Sequence, residues 1–444
     1  MRSPRAVSAA VVVVLALAGT GSTLASASAP TQSTKPKAAD VGITNKEIRV
    51  AIVADVDTAL VPGLFQSSVD AVRAWAKIVN KQGGVAGRKV VVDFIDSKLS
   101  PDDARNAVIK ACSEDFAMVG SEALFLNNVD DMVACPNADG EPVGLPDTPG
   151  LALDFAQKCS PVTYTVTGDP SVCATKDEHP QTWTAQQGDF RYYLSQEKDL
   201  HGVFAMPSDL KSTKDSITPS FEAAVDLGIV KDGSGFIDVS ARSTQSQLTP
   251  FVQEIKDNNS NFVYNGTAAS VMVLLRREAK FQGVDSVKIW GCNQGCYDTS
   301  LIEEGGADVE GTTVLIQTLP FYSDYKSHSL LKAVAKDLGG PEEMDGNAVN
   351  ALVGALLFQD AAEKAVAGGA TLTRQSLLDS LAAEHDFDAE GIIGPTDVGN
   401  RVPPGCIVIA EVKNGKWTRR HPKKVGTFDC SKKNTRKIEL DLLG

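Results

Sequence analysis

"KIVNKQGGVAGRKVVVDFID", residues 77–96, joins a helical pattern to a strand pattern through two glycine turns. Its first part ends an apolar stripe. Phe65, Val69, Val72, Ala76 and Val79 recur at intervals of four and three, which is one face of a helix. Gly83-Gly84 then stops that helix, because glycine accepts the left-handed backbone of a helix C-terminus. Gly87 turns the chain back, and "KVVVDFI" (89–95), rich in β-branched residues, reads as a strand. Upstream, "IRVAIVA" (48–54) is a second strand, so the new strand is expected to lie parallel to it. Downstream, Pro101-Asp102-Asp103 opens a helix with Ser100 as N-cap, and Ala104, Val108 and Ala111 face inward. "FAMVG" (116–120) is a third strand.

Between 135 and 182, prolines, glycines and cysteines crowd together and periodicity fades, which predicts connecting structure. Alternation then resumes. "GVFAM", "FIDVS", "NFVYN", "VKIWG" and "TTVLIQT" read as strands. Helices between them turn Ile217, Phe221, Ala224 and Val225, then Leu248, Phe251, Val252 and Ile255, then Val271, Leu274, Leu275 and Ala279 inward. Residues 326–384 are mostly helical, and "CIVIAEVKNGKWTRR" forms a hairpin around Asn414-Gly415. Two βα series therefore flank an irregular crossing. Each implies a parallel sheet covered by helices, with small-molecule sites beyond the carboxyl ends of the strands or between the units.

The N-terminus has a different character. "MRSPR" is basic, "AVSAAVVVVLALAG" is apolar but short, and "ASASA" offers small-residue cleavage sites. Residues 1–29 read as a secretory signal peptide and 30–41 as a disordered leader. No cysteine precedes Cys112, so no lipid-attachment cysteine follows the apolar run, and a secreted or periplasmic protein is expected. No other stretch approaches membrane-spanning length. The formal net charge of -13 opposes binding to a phosphate backbone, so no nucleic acid partner is expected. The basic "RRHPKK" and "KKNTRK" near the end read as a solvated tail. Eight cysteines in an exported chain suggest disulfides. Connectivity is not deducible from sequence in principle, but the spacing falls into neighbouring pairs: Cys112 with Cys135, Cys159 with Cys173, Cys292 with Cys296, and Cys406 with Cys430. Each closes a short loop, worth about 2–4 kcal/mol.

The block "VNKQGGVAGRKVVVDFIDSKLSPDDARNAVIKAC" (79–112) resembles the branched-chain amino acid (Leu/Ile/Val) binding family of bacterial ABC-importer solute-binding proteins. That family shows the same helix, N-x-x-GG-x-x-G, strand, acidic turn and P-x-x-A helix. "FAMVGS", "NFVYNG", "LLRREAKFQG", "KIWG" and "GPTDVGN" follow in the same order, so the resemblance covers most of 42–418. It implies an α/β fold of the type I periplasmic binding protein: two Rossmann-like βα lobes joined by a three-segment hinge. Lobe 1 is expected to take 42–170 and 320–390, lobe 2 171–319 and 391–430, with 431–444 as a C-terminal tail. The implied partners are a small-molecule solute and ABC permease subunits, with the chain itself a monomer and no cofactor.

Carried over position by position, the resemblance places the ligand set at strand ends. The family holds an α-carboxylate with hydroxyls in the loop that reads here "GSEALFLNN". Ser121 is present, but the usual hydroxyl positions fall near Leu124 and Phe125. An expected aromatic is replaced by Ala268 or Ala269, and the acid that pairs with an ammonium aligns with Asn293. Losing one partner of a buried charged pair costs about 2–5 kcal/mol, so a branched-chain amino acid is not the first-choice ligand. The candidate ligand residues are Asp57, Ser121, Glu122, Phe125, Asp209, Asn265, Thr267, Asn293 and Gln294. Asp55, Ser208 and Trp290 also sit at strand ends, and a Cys292–Cys296 bond would fix the loop between them facing the cleft. The reading is capture of a small organic solute for an ABC importer. The alternatives are a secreted ligand sensor of the same fold, or a branched-chain amino acid binder with altered contacts.

Catalytic patterns are missing. The five histidines are scattered, and there is no H-E-x-x-H, G-x-S-x-G, G-x-x-x-x-G-K or C-x-x-C. An enzyme is therefore not expected. "DFDAEGIIGPTD" (386–397) imitates a calcium loop through Asp386, Asp388, Glu390 and Asp397, but Pro395 opposes the usual exiting helix and no metal is expected there.

Overall fold

A computed structural model describes residues 40–58, 62–231 and 235–443. The expected signal peptide, and the leader up to residue 39, lie outside these. Asp40, the first described residue, is buried and accepts N–H bonds from Ala138 and Arg374 at 3.1 and 2.7 Å. The described chain thus begins inside the expected leader, at a residue that is packed rather than free.

The first sheet holds β1 (Glu47–Ala54), β2 (Lys89–Asp96), β3 (Ala117–Val119) and β4 (Asp147–Thr148), all parallel, in the order β2-β1-β3-β4. β1 and β2 pair from Glu47 with Lys89 through to Ala54 with Asp96, as the opening stretch predicts. Helix Gln66–Lys81 ends as expected. Gly83 and Gly84 have φ of 117° and 82°, and the Gly84 N–H bonds Val79 O at 2.9 Å. Val85 and Arg88 then exchange backbone bonds around Ala86 and Gly87, both at positive φ. The motif asparagine has a physical role here. Asn80 Nδ2 donates to Val90 O and its Oδ1 accepts from Val90 N, both at 2.8 Å. Its amide satisfies the outer edge of β2 as a further strand would. Ser100 caps helix Pro101–Glu114, its hydroxyl accepting from Asp103 N.

A second sheet holds β6 (Gly202–Pro207), β7 (Phe236–Val239), β8 (Phe262–Asn265), β9 (Ile289–Cys292), β10 (Thr312–Ile316), β11 (Val408–Val412) and β12 (Trp417–His421). Its order is β12-β11-β10-β9-β8-β6-β7, with β6 to β10 parallel and the final hairpin antiparallel. The hairpin turns at Asn414 and Gly415, both at positive φ, as Asn-Gly predicts. The terminal segment departs from the expected tail. β13 (Thr435–Leu440) pairs antiparallel with β5 (Gln181–Gln186), placing Ile438 opposite Trp183, and Arg436 meets Asp226 at 2.6 Å. Its alternation is hidden by a run of charged residues.

After β10 the chain returns to the first sheet. Helix Gly346–Ala365 packs on helix Gln66–Lys81, on β3 and β4 and on helix Arg374–Ala382, while Ser329–Leu338 packs on Gln66–Lys81. Arg374 is fully buried and its guanidinium donates to the carbonyls of Cys112, Asp115, Phe116 and Pro136. It thereby anchors that helix to the loop closed by the Cys112–Cys135 disulfide. The other three bonds also join the expected neighbours, Cys159–Cys173, Cys292–Cys296 and Cys406–Cys430.

The chain passes between the sheets along three segments. The first includes β5, the second follows β10, and the third precedes β11. They meet at one acceptor: Gln186 Nε2 and Gln317 Nε2 both donate to the carbonyl of Pro404 at 2.8 Å. Arg401, in the third segment, donates to the carbonyls of Lys158 and Ser160 in the first.

Two substitutions test the opening motif. A Cβ on Gly84 would lie 1.8 Å from Arg88 O, whereas none lies within 4 Å at Gly83. In denaturant titrations Gly84→Ala should cost about 1–3 kcal/mol more than Gly83→Ala. Asn80→Ala should cost about 1–3 kcal/mol, through the two unsatisfied Val90 groups.

Candidate functional site

In an open parallel sheet the crevice for a ligand forms where strand order reverses, beyond the carboxyl ends. Here the reversals fall between β1 and β3 and between β6 and β8. The segments that follow β3, β4 and β6, with Trp183 and Leu443, border a cavity of about 270 Å³. Its apolar wall is Phe125, Leu153, Phe155, Trp183, Leu210 and Leu443. Its polar wall includes Asn127, Asp154, Lys158, Lys211 and Asp215. Both sheets contribute: Phe125 to Lys158 follow the first, and Leu210 to Asp215 open helix Lys211–Asp226 on the second.

Of the residues named from sequence, Phe125 lines this cavity. The others take positions within the scaffold. Ser121 is buried and its hydroxyl accepts from Val53 N at 3.1 Å. Asp57 is exposed and its N–H donates to Asp96 at 2.9 Å. Asp55 is buried, taking Ser97 Oγ and Leu99 N on one oxygen and Leu124 N on the other. Asp209 ties the loop after β6 to the loop after β7, accepting from Ser240 Oγ at 2.7 Å and Ala241 N at 2.6 Å. It leaves helix Lys211–Asp226 without a side-chain cap. Ser208 is exposed, and Trp290 is buried beneath the Arg276 guanidinium, 4.8 Å from the ring centre.

The amide-rich loops form one network. Asn265 is buried, with Nδ2 donating to Ala268 O at 2.9 Å and Oδ1 accepting from Thr267 Oγ1 at 2.8 Å. Asn293 donates to Thr267 O at 3.1 Å and accepts from Gly295 N at 2.7 Å. The Cys292–Cys296 bond closes this turn beneath them. Gln294 reaches outward instead, and its Nε2 donates to Asn350 Oδ1 at 3.2 Å. Asn350 belongs to helix Gly346–Ala365 on the first sheet, so this bond joins the two halves directly.

The calcium-like loop does not converge on a centre. Asp397 accepts from His385 Nδ1 at 2.7 Å and Asn400 Nδ2 at 2.8 Å. Among the described residues no group of three or more His, Cys, Asp or Glu is placed to hold a metal. Nor is any described helix long and apolar enough to cross a membrane. The residues that sequence reading missed, Lys158, Leu153 and Trp183 above all, come from the irregular crossing, where no periodicity marks a face. The adjacent Cys159 was the one local signal that Lys158 would be held in place.

Glu122 carries the strongest electrostatic tension near the strand ends. It is fully buried, with Oε2 taking the Ser68 hydroxyl at 2.9 Å and Oε1 without a partner among the described residues. Burial pushes its carboxyl well above the usual range. The Ser68 bond pulls it back, and the charge of Asp345 adds to the rise. A carboxyl raised on folding stabilises the native state while protonated, and that stabilisation is lost as pH rises through the raised value. Glu122→Gln keeps the size and removes the charge. Its melting temperature at pH 8 should equal or exceed that of the unaltered protein, with a shallower fall between about pH 5 and pH 8. Parallel pH curves for the two proteins would refute this assignment.

A family model described as "periplasmic binding protein" matches residues 47–416. No curated protein matches the chain in sequence. Among solved structures, it is similar to a fatty acid ABC transporter substrate-binding protein from Thermomonospora curvata, at 18% identity and a TM-score of 0.64, covering 87% of this chain and 97% of that one. It is also similar to the leucine-binding protein LivK from Thermotoga maritima, at 16% identity and 0.60, covering 84% and 97%. The substrate-binding protein LivJ from Streptococcus pneumoniae, in complex with isoleucine, aligns at 15% identity and 0.61, covering 84% and 100%. At these identities the structural likeness is one of fold: two βα lobes with a cleft between them. With a family match across most of its length and that fold, the chain belongs to the periplasmic binding protein family.

Proposed function

We propose that this protein captures a small organic solute between its two lobes, outside the cytoplasm, and presents the closed form to the permease subunits of an ABC importer. The observation that carries the reading is the hinge. Three crossing segments share the Pro404 carbonyl, on which the lobes can rotate together, while the cavity lies between strand ends. The Gln294–Asn350 bond is a contact that opening must break and closure must remake. A solute lining the cavity from both sides stabilises the closed state by its differential affinity for it. The work proposed is binding and release, not bond making.

The solute we propose is not a branched-chain amino acid. The solved relatives differ in ligand, one described as a fatty acid protein and others as leucine or isoleucine binders, so fold does not select among them. The positions that hold an amino acid in the family are occupied otherwise in this chain. Asn293 stands at the position of the acid and spends its amide on Thr267 and Gly295. Leu124 and Phe125 stand near the usual hydroxyl positions, and the hydroxyl oxygen of Ser121 accepts from Val53 N.

Thermal shift and small-angle scattering across a broad solute library test the reading. A true solute at a thousandfold excess over Kd should add about 4 kcal/mol to stability and reduce the radius of gyration. Gln294→Ala should weaken its binding by about two- to tenfold without touching the cavity. A library in which no solute moves either observable would overturn the proposal.

A further inference from the structure

The cavity is lined by a largely buried lysine whose ammonium has no hydrogen-bonded partner among the described residues. Lys158 ends the short helix Phe155–Lys158 and is held by the Cys159–Cys173 bond on one side and by Arg401 on its carbonyl. The residue is 5% exposed and lines the cavity. Among the described residues its ammonium makes no hydrogen bond and no ion pair. Asp169, Asp154 and Asp215 act on it only at a distance, and burial lowers its pKa against them. An ammonium largely withdrawn from water without a hydrogen-bonded anion is costly, and a ligand that supplies the anion offsets that cost.

The neighbouring charges are already engaged. Lys211 Nζ donates to Asp215 at 2.7 Å and to Leu442 O at 2.6 Å. Asp154 caps its own short helix, accepting from Ala156 N at 2.8 Å. Among the described residues Lys158 is thus the lining ammonium with no hydrogen-bonded anion, in a cavity whose remaining wall is largely aromatic and aliphatic, while the lining charges of Lys158 and Lys211 are balanced by those of Asp154 and Asp215. A single negative charge matches the Lys158 ammonium. A dianion such as phosphate would bring a second negative charge beside Asp154 and Asp215, and a neutral solute would leave Lys158 without a hydrogen-bonded anion.

Resting on the solute-binding reading, we infer that Lys158 receives the carboxylate of an organic monoacid whose apolar body lies against Phe125, Leu153, Phe155 and Trp183. The length of that body is set by the cavity rather than by polar contacts. Discrimination between acids of similar length is then modest, and discrimination between an acid and its amide is large.

Calorimetry on the full-length mature protein tests this with straight-chain acids from butanoate to octanoate, 3-phenylpropanoate, and the matching amides. At least one acid should bind about thirtyfold or more tighter than its amide. Lys158→Met should lose that preference while keeping its melting transition and all four disulfides, and Lys158→Arg should retain part of it. If Lys158→Met does not fold, the comparison of acid with amide on the unaltered protein and on Lys158→Arg decides. Equal binding of acid and amide, or no binding of any acid, overturns the inference. Scattering separates it from the broader reading. Closure by a solute without a carboxylate removes the role of Lys158 and leaves solute capture standing, whereas closure by no solute removes both.

Discussion

The carbonyl of Pro404 accepts one hydrogen bond from Gln186 and one from Gln317, and so joins the three segments that connect the lobes. A carbonyl has two lone pairs, and here both are used by side-chain amides. Proline has no N–H, so this residue cannot donate to a ladder, and the next strand, β11, begins only at Val408. Beyond the β5–β13 pair and an isolated bridge between Thr318 and Ile393, the junction is held by side chains. Such a joint keeps the crossings at fixed separation and still permits rotation, which a continuous sheet would resist. Arg401 extends the same junction to the Lys158 and Ser160 carbonyls, so the wall of the cavity is fastened to the pivot.

Much of this fold is legible in local chemistry. The β1–helix–β2 unit follows from an apolar stripe, two glycine stops and a β-branched run, and the structure returns each of them. The disulfides could be read because each bond closes a short loop between neighbours. β13 could not be read in the same way. In "TRKIEL" charged residues surround Ile438, and its partner Trp183 lies in β5, in the irregular stretch far back along the chain. A strand at the margin of a domain keeps little apolar signal, because only one of its faces meets a core.

The candidate site was legible as a place and not as a set of residues. Strand-end loops border the cavity, and Phe125 is in its wall. Asn265, Thr267 and Asn293 were chosen because they are polar and near strand ends, yet the same properties make them the natural internal braces of those loops. A buried backbone polar group in a tight turn needs a partner, and a short amide side chain is the nearest supply. Sequence does not separate an amide turned toward a ligand from one turned toward its own backbone. Lys158 posed the opposite problem: a lysine beside a cystine in an irregular segment looks like surface, and only the tertiary packing withdraws it from water.

The pairing of β13 with β5 bears on how the molecule is made. β5 lies in the first crossing and has β13 as its one strand neighbour in that small sheet. Its ladder waits for residues at the far end of the chain. A polypeptide that emerges from a ribosome or a translocation pore N-terminus first will therefore hold both sheets before it can finish the joint between them. The early βα units supply local contacts that form quickly, and the long-range closure comes last. Until that step the two halves are connected without the strand pair that braces the first crossing.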